Sequence, residues 1–240
     1  MDKDLTNNMF QQVRTSHRLI AAYYQRLMPL LGQVTHELDL KFYRWDSLQV
    51  PALTPGSENP FDDWSLALVP SYSPYFLFRS NRLKSRKTNT AVIGEFLLCI
   101  AVINDSGVYH SNILARDYDE GEIDMLEVSP PVEKSNSILR VALFTPCSNQ
   151  DLQWETNIWD DTSWPEFSDT PISTRPDLEK YGYTNGFETP ISSLMEDDGV
   201  ESLVEKITLF KDDLLRTAAE YIEPSIPVES ADNLQKKDLT

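Results

Sequence analysis

The sequence predicts an α+β fold: a mainly antiparallel sheet of four to six strands, with an N-terminal and a C-terminal helix packed on one face. Two stretches with the apolar spacing of an α-helix stand near the ends of the chain, and stretches with strand spacing lie between them. Helices at both ends can cover one face of a sheet that the middle of the chain forms.

The first helix is predicted from about residue 7 to residue 31. Apolar side chains recur there at alternating spacings of three and four, beginning at Phe10, which places them on one helical face. We expect Gly32 to end the helix and Pro29 to kink or thin its last turn. His17 falls on the apolar stripe and is interpreted as a core histidine.

Strands are predicted where apolar residues alternate or form short runs. The stretch Thr90 to Ile103 is almost continuously apolar, so we expect it to be the central strand, buried on both faces. Pro-rich sequence between residues 51 and 63 predicts a loop. The other predicted strands span residues 36–50, 64–69 continuing at 75–79, 108–115 as the returning strand of a hairpin, and 138–145.

The C-terminal third begins with an irregular stretch and ends with a second helix. Residues 146–195 hold five prolines and three tryptophans, so we expect an ordered excursion that is either a functional loop or a missed element. Residues 198–222 again show helical spacing. We therefore predict a single domain at 1–228, with a long ordered loop at 146–195 and a polar tail at 229–240.

The net charge of −17 is distributed unevenly along the chain. Residues 1–87 hold 11 Lys/Arg against 8 Asp/Glu, whereas residues 88–240 hold 10 against 30. Such a field favours a basic protein partner and disfavours free nucleic acid and anionic membranes, although the acid could also serve solubility alone. With no apolar run long enough to span a bilayer, and with Cys99 and Cys147 interpreted as buried reduced thiols, we expect a cytoplasmic protein.

One candidate binding segment combines carboxylates with tryptophans. Aromatic anchors with a charged surround are common in protein interfaces, since tryptophan supplies much buried area. The alternative is that the tryptophans pin the excursion to its own core. The predicted binding residues of this segment are Trp154, Trp159, Asp160, Asp161 and Trp164.

A second candidate is an acidic loop, and a third is a basic cluster. The loop could add to a docking surface or bind a divalent cation, but its spacing does not match an EF-hand, and no metal is predicted. The basic cluster could contact phosphate or nucleic acid locally. The loop residues are Asp117, Asp119, Glu120, Glu122 and Asp124, and the basic residues are Arg79, Arg82, Lys84, Arg86 and Lys87.

The sequence has no nucleophile elbow, phosphate-binding glycine loop or paired-cysteine motif, so no catalytic residue and no cofactor are predicted. We expect a non-enzymatic acidic interaction protein, in the manner of an inhibitor or immunity protein, that docks a basic protein partner. The alternative is a hydrolase or nuclease that uses Asp or Glu ligands with a divalent metal.

Overall fold

The computed structural model describes residues 3–48, 73–80, 89–110, 128–147, 152–174 and 181–220. These ranges include the helices α1 (Lys3–Glu37), the short α2 (Ile191–Leu194) and α3 (Gly199–Glu220). The strands are β1 (Leu40–Ser47), β2 (Pro74–Ser80), β3 (Thr90–Ala91), β4 (Leu97–Ile103), β5 (Ile138–Pro146), β6 (Leu152–Gln153) and β7 (Gly182–Pro190).

Five strands form one antiparallel sheet in the order β1-β2-β4-β5-β7, and β3 pairs with β6 in a small separate sheet. The register is regular from β2 to β7, with Ile100 opposite both Phe76 and Val141. A bulge at Tyr43 interrupts the pairing of β1 with β2. The predicted α+β class and the predicted number of strands are confirmed.

Strand β4 lies at the centre of the sheet and is buried on both faces, as predicted. Its side chains alternate between two cores, because successive residues of a strand point to opposite faces. Leu98, Ile100 and Val102 join the first core with α1 and α3, whereas Leu97 and Cys99 join a second core on the opposite face. A strand buried on both sides needs apolar residues at every position, and this explains the continuous run.

Both terminal helices pack on the face of the first core, as predicted. Two helices, each about 10 Å wide, cover roughly four strands that are spaced about 4.8 Å apart. The outer strand β1 is left at the margin of this layer. Phe42 and Trp45, which lie on β1, are each 58% exposed.

Helix α1 is longer than predicted and only partly packed. It continues through Pro29 and Gly32 to Glu37, so the prediction that Gly32 ends it was wrong. Leu27, Leu31 and Val34 are buried in the first core, but the N-terminal half is exposed. His17 lies in that exposed half, so its interpretation as a core histidine was also wrong.

Other predicted elements also changed. Gly94, with φ of 85°, lies in a turn that divides the predicted strand Thr90–Ile103 into β3 and β4. Residues 106–110 are helical, which contradicts a strand beginning at residue 108. The predicted loop 146–195 contains β7, a nine-residue strand, so the missed-element explanation holds there. The predicted strand 64–69 and the tail 229–240 lie outside the described residues.

Candidate functional site

The face of the sheet opposite the helices is covered by residues 152–174, which we call the excursion. It begins with β6, continues as a π-helical turn (Trp154–Trp159) and then runs beside β7. The backbone N–H groups of Ser168 and Thr174 donate to the carbonyl oxygens of Gly186 and Thr184, at 3.1 and 2.8 Å. The excursion is therefore bonded along the outer edge of the sheet as well as packed on its face.

An aromatic cluster joins the excursion to the sheet. The ring centroid of Trp159 lies 4.9 Å from that of Tyr75 on β2 and 5.6 Å from that of Phe144 on β5. The Trp164 ring lies 5.5 Å from Trp159 and 6.2 Å from Phe167. These spacings are those of tilted and edge-to-face aromatic pairs, so the rings hold one another in fixed orientations.

The three predicted tryptophans occupy three different depths. Trp154 is 1% exposed and belongs to the second core, where its backbone N–H donates to the carbonyl of Asn89 at 2.9 Å. Trp159 is half-buried, and Trp164 is 38% exposed. Trp154 thus supports the excursion from inside, and Trp164 presents most surface to solvent.

Three carboxylates belong to the same segment of the chain as Trp159 of this cluster. Asp160 and Asp161 follow the π-helical turn directly and are exposed. Glu155, at the start of the turn, accepts a hydrogen bond from Arg44 Nη1 at 2.5 Å. We call Glu155, Trp159, Asp160, Asp161 and Trp164 the acidic–aromatic patch.

A single arginine on β1 lies between carboxylates of two elements. Arg44 Nη2 donates to Asp46 Oδ2 at 3.1 Å, while its Nη1 atom contacts Glu155. Arg44 with Asp46, Glu155, Asp160 and Asp161 carries one positive charge against four negative charges. The region keeps a net negative charge even with its arginine in place.

The environment shifts the pKa values of two charged side chains in this region, Arg44 and Asp160. Desolvation, followed by the nearby negative charge of Glu155, raises the pKa of Asp160 above its ordinary value. The hydrogen bond to Asp46 raises the pKa of Arg44 above its usual range, so the arginine stays charged. Asp160 is therefore a carboxylate that its own surroundings destabilise in the charged form.

The sequence interpretation missed the contribution of β1 and β2 to the site. Arg44 and Asp46 are two residues apart on a strand, so they lie on the same face, and that face is the one toward the excursion. The predicted alternation from residue 38 to residue 43 stops at the bulge, and the bulge changes which residues share a face. Tyr75 gave no signal beyond being an aromatic residue in a predicted strand.

Two other sets of predicted residues are described little or not at all. The acidic loop residues Asp117 to Asp124 lie outside the described ranges, as do Arg82, Lys84, Arg86 and Lys87. Arg79 is on β2, where its guanidinium carbon lies 5.4 Å from the centroid of the Tyr43 ring. This arginine is therefore engaged with an aromatic ring of the neighbouring strand.

The family relationship follows from a sequence match over most of the chain. The chain belongs to the PM0109 family, whose model matches residues 3–211. The matched range includes α1, the five-stranded sheet, the excursion and the first half of α3. No curated protein and no solved structure matches this PM0109-family chain.

Metal-ligand clusters and cysteine thiols are two kinds of reactive group that can be checked in the described residues of this PM0109 family member. Among those residues, no three His, Cys, Asp or Glu side chains are placed to hold a metal ion. Cys99 and Cys147 are not joined in a disulfide, and burial raises the pKa of the Cys99 thiol well above its usual range. In the same part of the chain, no helix has the length and apolar character needed to cross a membrane.

Proposed function

We propose that this protein is a non-enzymatic interaction protein that docks a basic protein partner through the acidic–aromatic patch. The single observation that carries the proposal is the placement of Trp164, 38% exposed, in one short excursion with the exposed carboxylates Asp160 and Asp161. The five predicted loop residues from Asp117 to Asp124 belong to the proposed acidic surface only as a sequence prediction.

In the proposed interface, the aromatic residues of the patch supply affinity and the carboxylates raise the association rate. Trp164 is supported by Trp159, Phe144 and Phe167, so a partner would meet a ring whose orientation is already fixed. Aromatic residues with few rotatable bonds lose little entropy on binding and often supply most of the affinity. An arginine or lysine of the partner could also lie over the Trp164 ring, which attracts cations.

The carboxylates would act mainly before contact. Exposed charges of one sign raise the rate at which an oppositely charged partner arrives, and this effect falls as salt is added. The raised pKa of Asp160 supports the proposal in a second way. In the free protein, desolvation and the charge of Glu155 make the ionised form of Asp160 less favourable. A cationic side chain of the partner would stabilise that ionised form.

The test is co-purification from the native host, followed by affinity measurements on two variants with the basic protein that co-elutes. Trp164→Ala should weaken binding by about 2 kcal/mol while leaving the fold intact. The double variant Asp160→Asn, Asp161→Asn should lower the association rate and flatten its dependence on salt, with a smaller effect on dissociation.

Matched controls separate the patch from general charge and surface effects. Trp45→Ala removes an exposed tryptophan from β1, at a position opposite Phe76 and so on the helix-bearing face. Glu201→Gln with Glu205→Gln removes two exposed charges from α3. Both controls should bind normally. The proposal fails if Trp164→Ala lowers the melting temperature without changing affinity, or if the α3 variant slows association as much as the patch variant does.

The proposal places the protein in the cytosol, where basic partners such as nucleases or nucleic-acid-binding proteins are accessible. Two cysteines that form no disulfide suit that reducing compartment. No cofactor and no metal enter the proposed function.

A further inference from the structure

The N-terminal half of α1 presents an apolar stripe that the rest of the described chain does not cover. We call residues 3–22 the arm; at a rise of roughly 1.5 Å per residue it is about 30 Å long. Phe10, Val13 and Ile20 on this stripe are 51%, 45% and 42% exposed. The hydroxyl of Tyr24 accepts a hydrogen bond from Asn104, just beyond β4, so the arm begins where the sheet ends.

The stripe of the arm continues the stripe that packs the body of the protein. Apolar positions recur at alternating steps of three and four from Phe10 through Tyr24, Leu27 and Leu31 to Val34. The C-terminal part of this seam lies in the first core against α3 and the sheet. A repeat of 3.5 residues is the pattern by which helices pair side by side. The arm therefore has the seam of a paired helix, and none of the described residues of its own chain covers that seam.

Charge indicates what kind of partner covers the seam. Between Leu5 and His36 the helix carries Arg14, Arg18 and Arg26 and no acidic residue, whereas residues 88–240 carry a balance of −20. Arg14 and Arg18 are exposed. A body of that charge repels anionic membranes and nucleic acid, even though the arm alone would suit them. A second copy of this chain supplies both an apolar seam and an acidic body.

We propose that the arm is a dimerisation element, which pairs antiparallel with the arm of a second copy of this chain. In this arrangement Phe10 lies opposite Ile20 of the partner subunit, and Val13 lies opposite His17 of the partner subunit. The two acidic bodies are held at opposite ends of the pair, further apart than the screening length of about 8 Å at physiological salt. The arginines of both arms lie between them, so charge alternates along the dimer.

His17 has a defined place in this pair. It is the polar residue in an otherwise apolar seam, and polar residues at such positions set register and oligomer state at a cost in stability. His17 lies on the apolar stripe of the helix, and in the proposed dimer this stripe forms the apolar interface between the two chains. His17→Leu should tighten the dimer.

The first experiment measures the mass of the full chain across a concentration series by sedimentation equilibrium. The wild-type chain should be a dimer at tens of micromolar. Ile20→Asp places a charge opposite Phe10 of the partner subunit and should weaken dimerisation by about a hundredfold or more. Thr15→Asp adds the same charge on the opposite face of the helix and should leave the dissociation constant within about threefold. Far-ultraviolet circular dichroism and melting curves verify that both variants keep the folded body.

The second experiment tests orientation by disulfide trapping in a Cys147→Ser background. A chain with both Phe10→Cys and Ile20→Cys should form covalent dimers on mild oxidation, and each single variant should do so slowly, because like positions are far apart in an antiparallel pair. Rapid trapping of the single variants would overturn the antiparallel arrangement.

Three outcomes would overturn the proposal as a whole. The first is a monomer at every concentration, and the second is a dimer that Ile20→Asp does not weaken. The third is a monomer that sediments with vesicles of anionic phospholipid through the same stripe. None of these measurements uses the basic protein partner, so the dimerisation proposal can fail while the proposed function holds, and the reverse is also possible.

Discussion

Arg140 and Asp160 illustrate the difference between a satisfied and an unsatisfied charge. Arg140 donates from Nε and Nη2 to Glu188 at 2.8 and 2.5 Å, donates to the hydroxyl of Tyr109 at 2.7 Å, and lies 4.5 Å from the centroid of the Phe167 ring. It ties β5 to β7, to the excursion and to the helical turn at 106–110. Its charge is balanced, which indicates a structural role. For Asp160, in contrast, desolvation and the negative charge of Glu155 outweigh the positive charge of Arg44, so its pKa is raised.

The raised pKa of Asp160 predicts the sign of a pH effect. When the folded-state pKa lies above the unfolded value, the charged carboxylate destabilises the folded state at neutral pH, and this penalty disappears as pH falls below both values. Asp160→Asn should therefore melt at a higher temperature than wild type at pH 7. The difference should shrink as pH falls through the folded-state pKa and vanish near the ordinary value of about 3.9.

Melting curves at closely spaced pH values check this prediction, and Asp169→Asn is the matched control. Asp169 lies in the same excursion with its side chain 98% exposed and 3.7 Å from Lys206 Nζ, so Asp169→Asn removes a charge that has a cationic neighbour and should leave the melting temperature unchanged or slightly lower. An Asp160→Asn variant that is less stable than wild type at pH 7 would contradict the placement of this carboxylate.

Glycines show how closely the elements approach one another. A Cβ atom added at Gly186 on β7 would lie 2.5 Å from the Val141 carbonyl oxygen, 2.9 Å from Pro165 and 3.0 Å from Phe167. The excursion packs directly on the backbone of β7 at this point. Gly32, inside α1, has no atom within 4 Å of such a Cβ, and its φ is not in the left-handed region.

Two substitutions of the same kind should accordingly have opposite signs. Gly186→Ala should destabilise the protein by about 1–3 kcal/mol, because the excursion or β5 must shift. Gly32→Ala should stabilise it by up to about 1 kcal/mol, because alanine is the better helix former. Urea denaturation measures both. A neutral Gly186→Ala would mean that the excursion does not lie against β7.

The central and terminal elements could be predicted from the sequence because their signals are local. The continuous apolar run of β4 follows from burial of that strand on both faces. The helical spacing of apolar residues in α3 follows from burial of one face of that helix. Strand β7 could not be predicted in this way. Its sequence, GYTNGFETP, contains two glycines and a buried asparagine, and Asn185 is accepted in the core because its Nδ2 atom donates to the Phe210 carbonyl at 2.7 Å.

The candidate site was predictable only in part, for a related reason. The acidic and aromatic composition of residues 154–164 marked the segment, but composition does not distinguish Trp154, which is buried, from Trp164, which is exposed. That difference depends on which residues of the excursion meet Phe144 and Tyr75 across the sheet. The contribution of Arg44 depends on a contact 111 residues away in sequence.

The whole molecule combines an acidic body with a basic arm. The arm contributes little to the packing of the body, since the buried residues of α1 begin at Leu27. Removal of residues 1–19 should therefore change the unfolding free energy of the dilute protein by no more than about 0.5 kcal/mol. At high concentration the full chain should melt at a higher temperature than the truncated chain, because association stabilises the folded state.

Differential scanning calorimetry at two widely separated concentrations makes this comparison. The full chain should show a melting temperature that rises with concentration, and the truncated chain should not. A truncated chain that is unfolded at every concentration would show that the arm is part of the folding unit of the body.

The position of β7 in the sheet also determines when the sheet can be completed during synthesis. Strand β5 pairs with β7 on one side, but the ribosome adds about 44 residues after β5 before β7 is finished, which takes roughly 2–9 s at typical translation rates. During that interval the nascent chain carries β4 and β5 with the β7 side of β5 unpaired. A chain that lacks β7 would leave this edge of β5, a largely apolar strand, open to pairing with other chains.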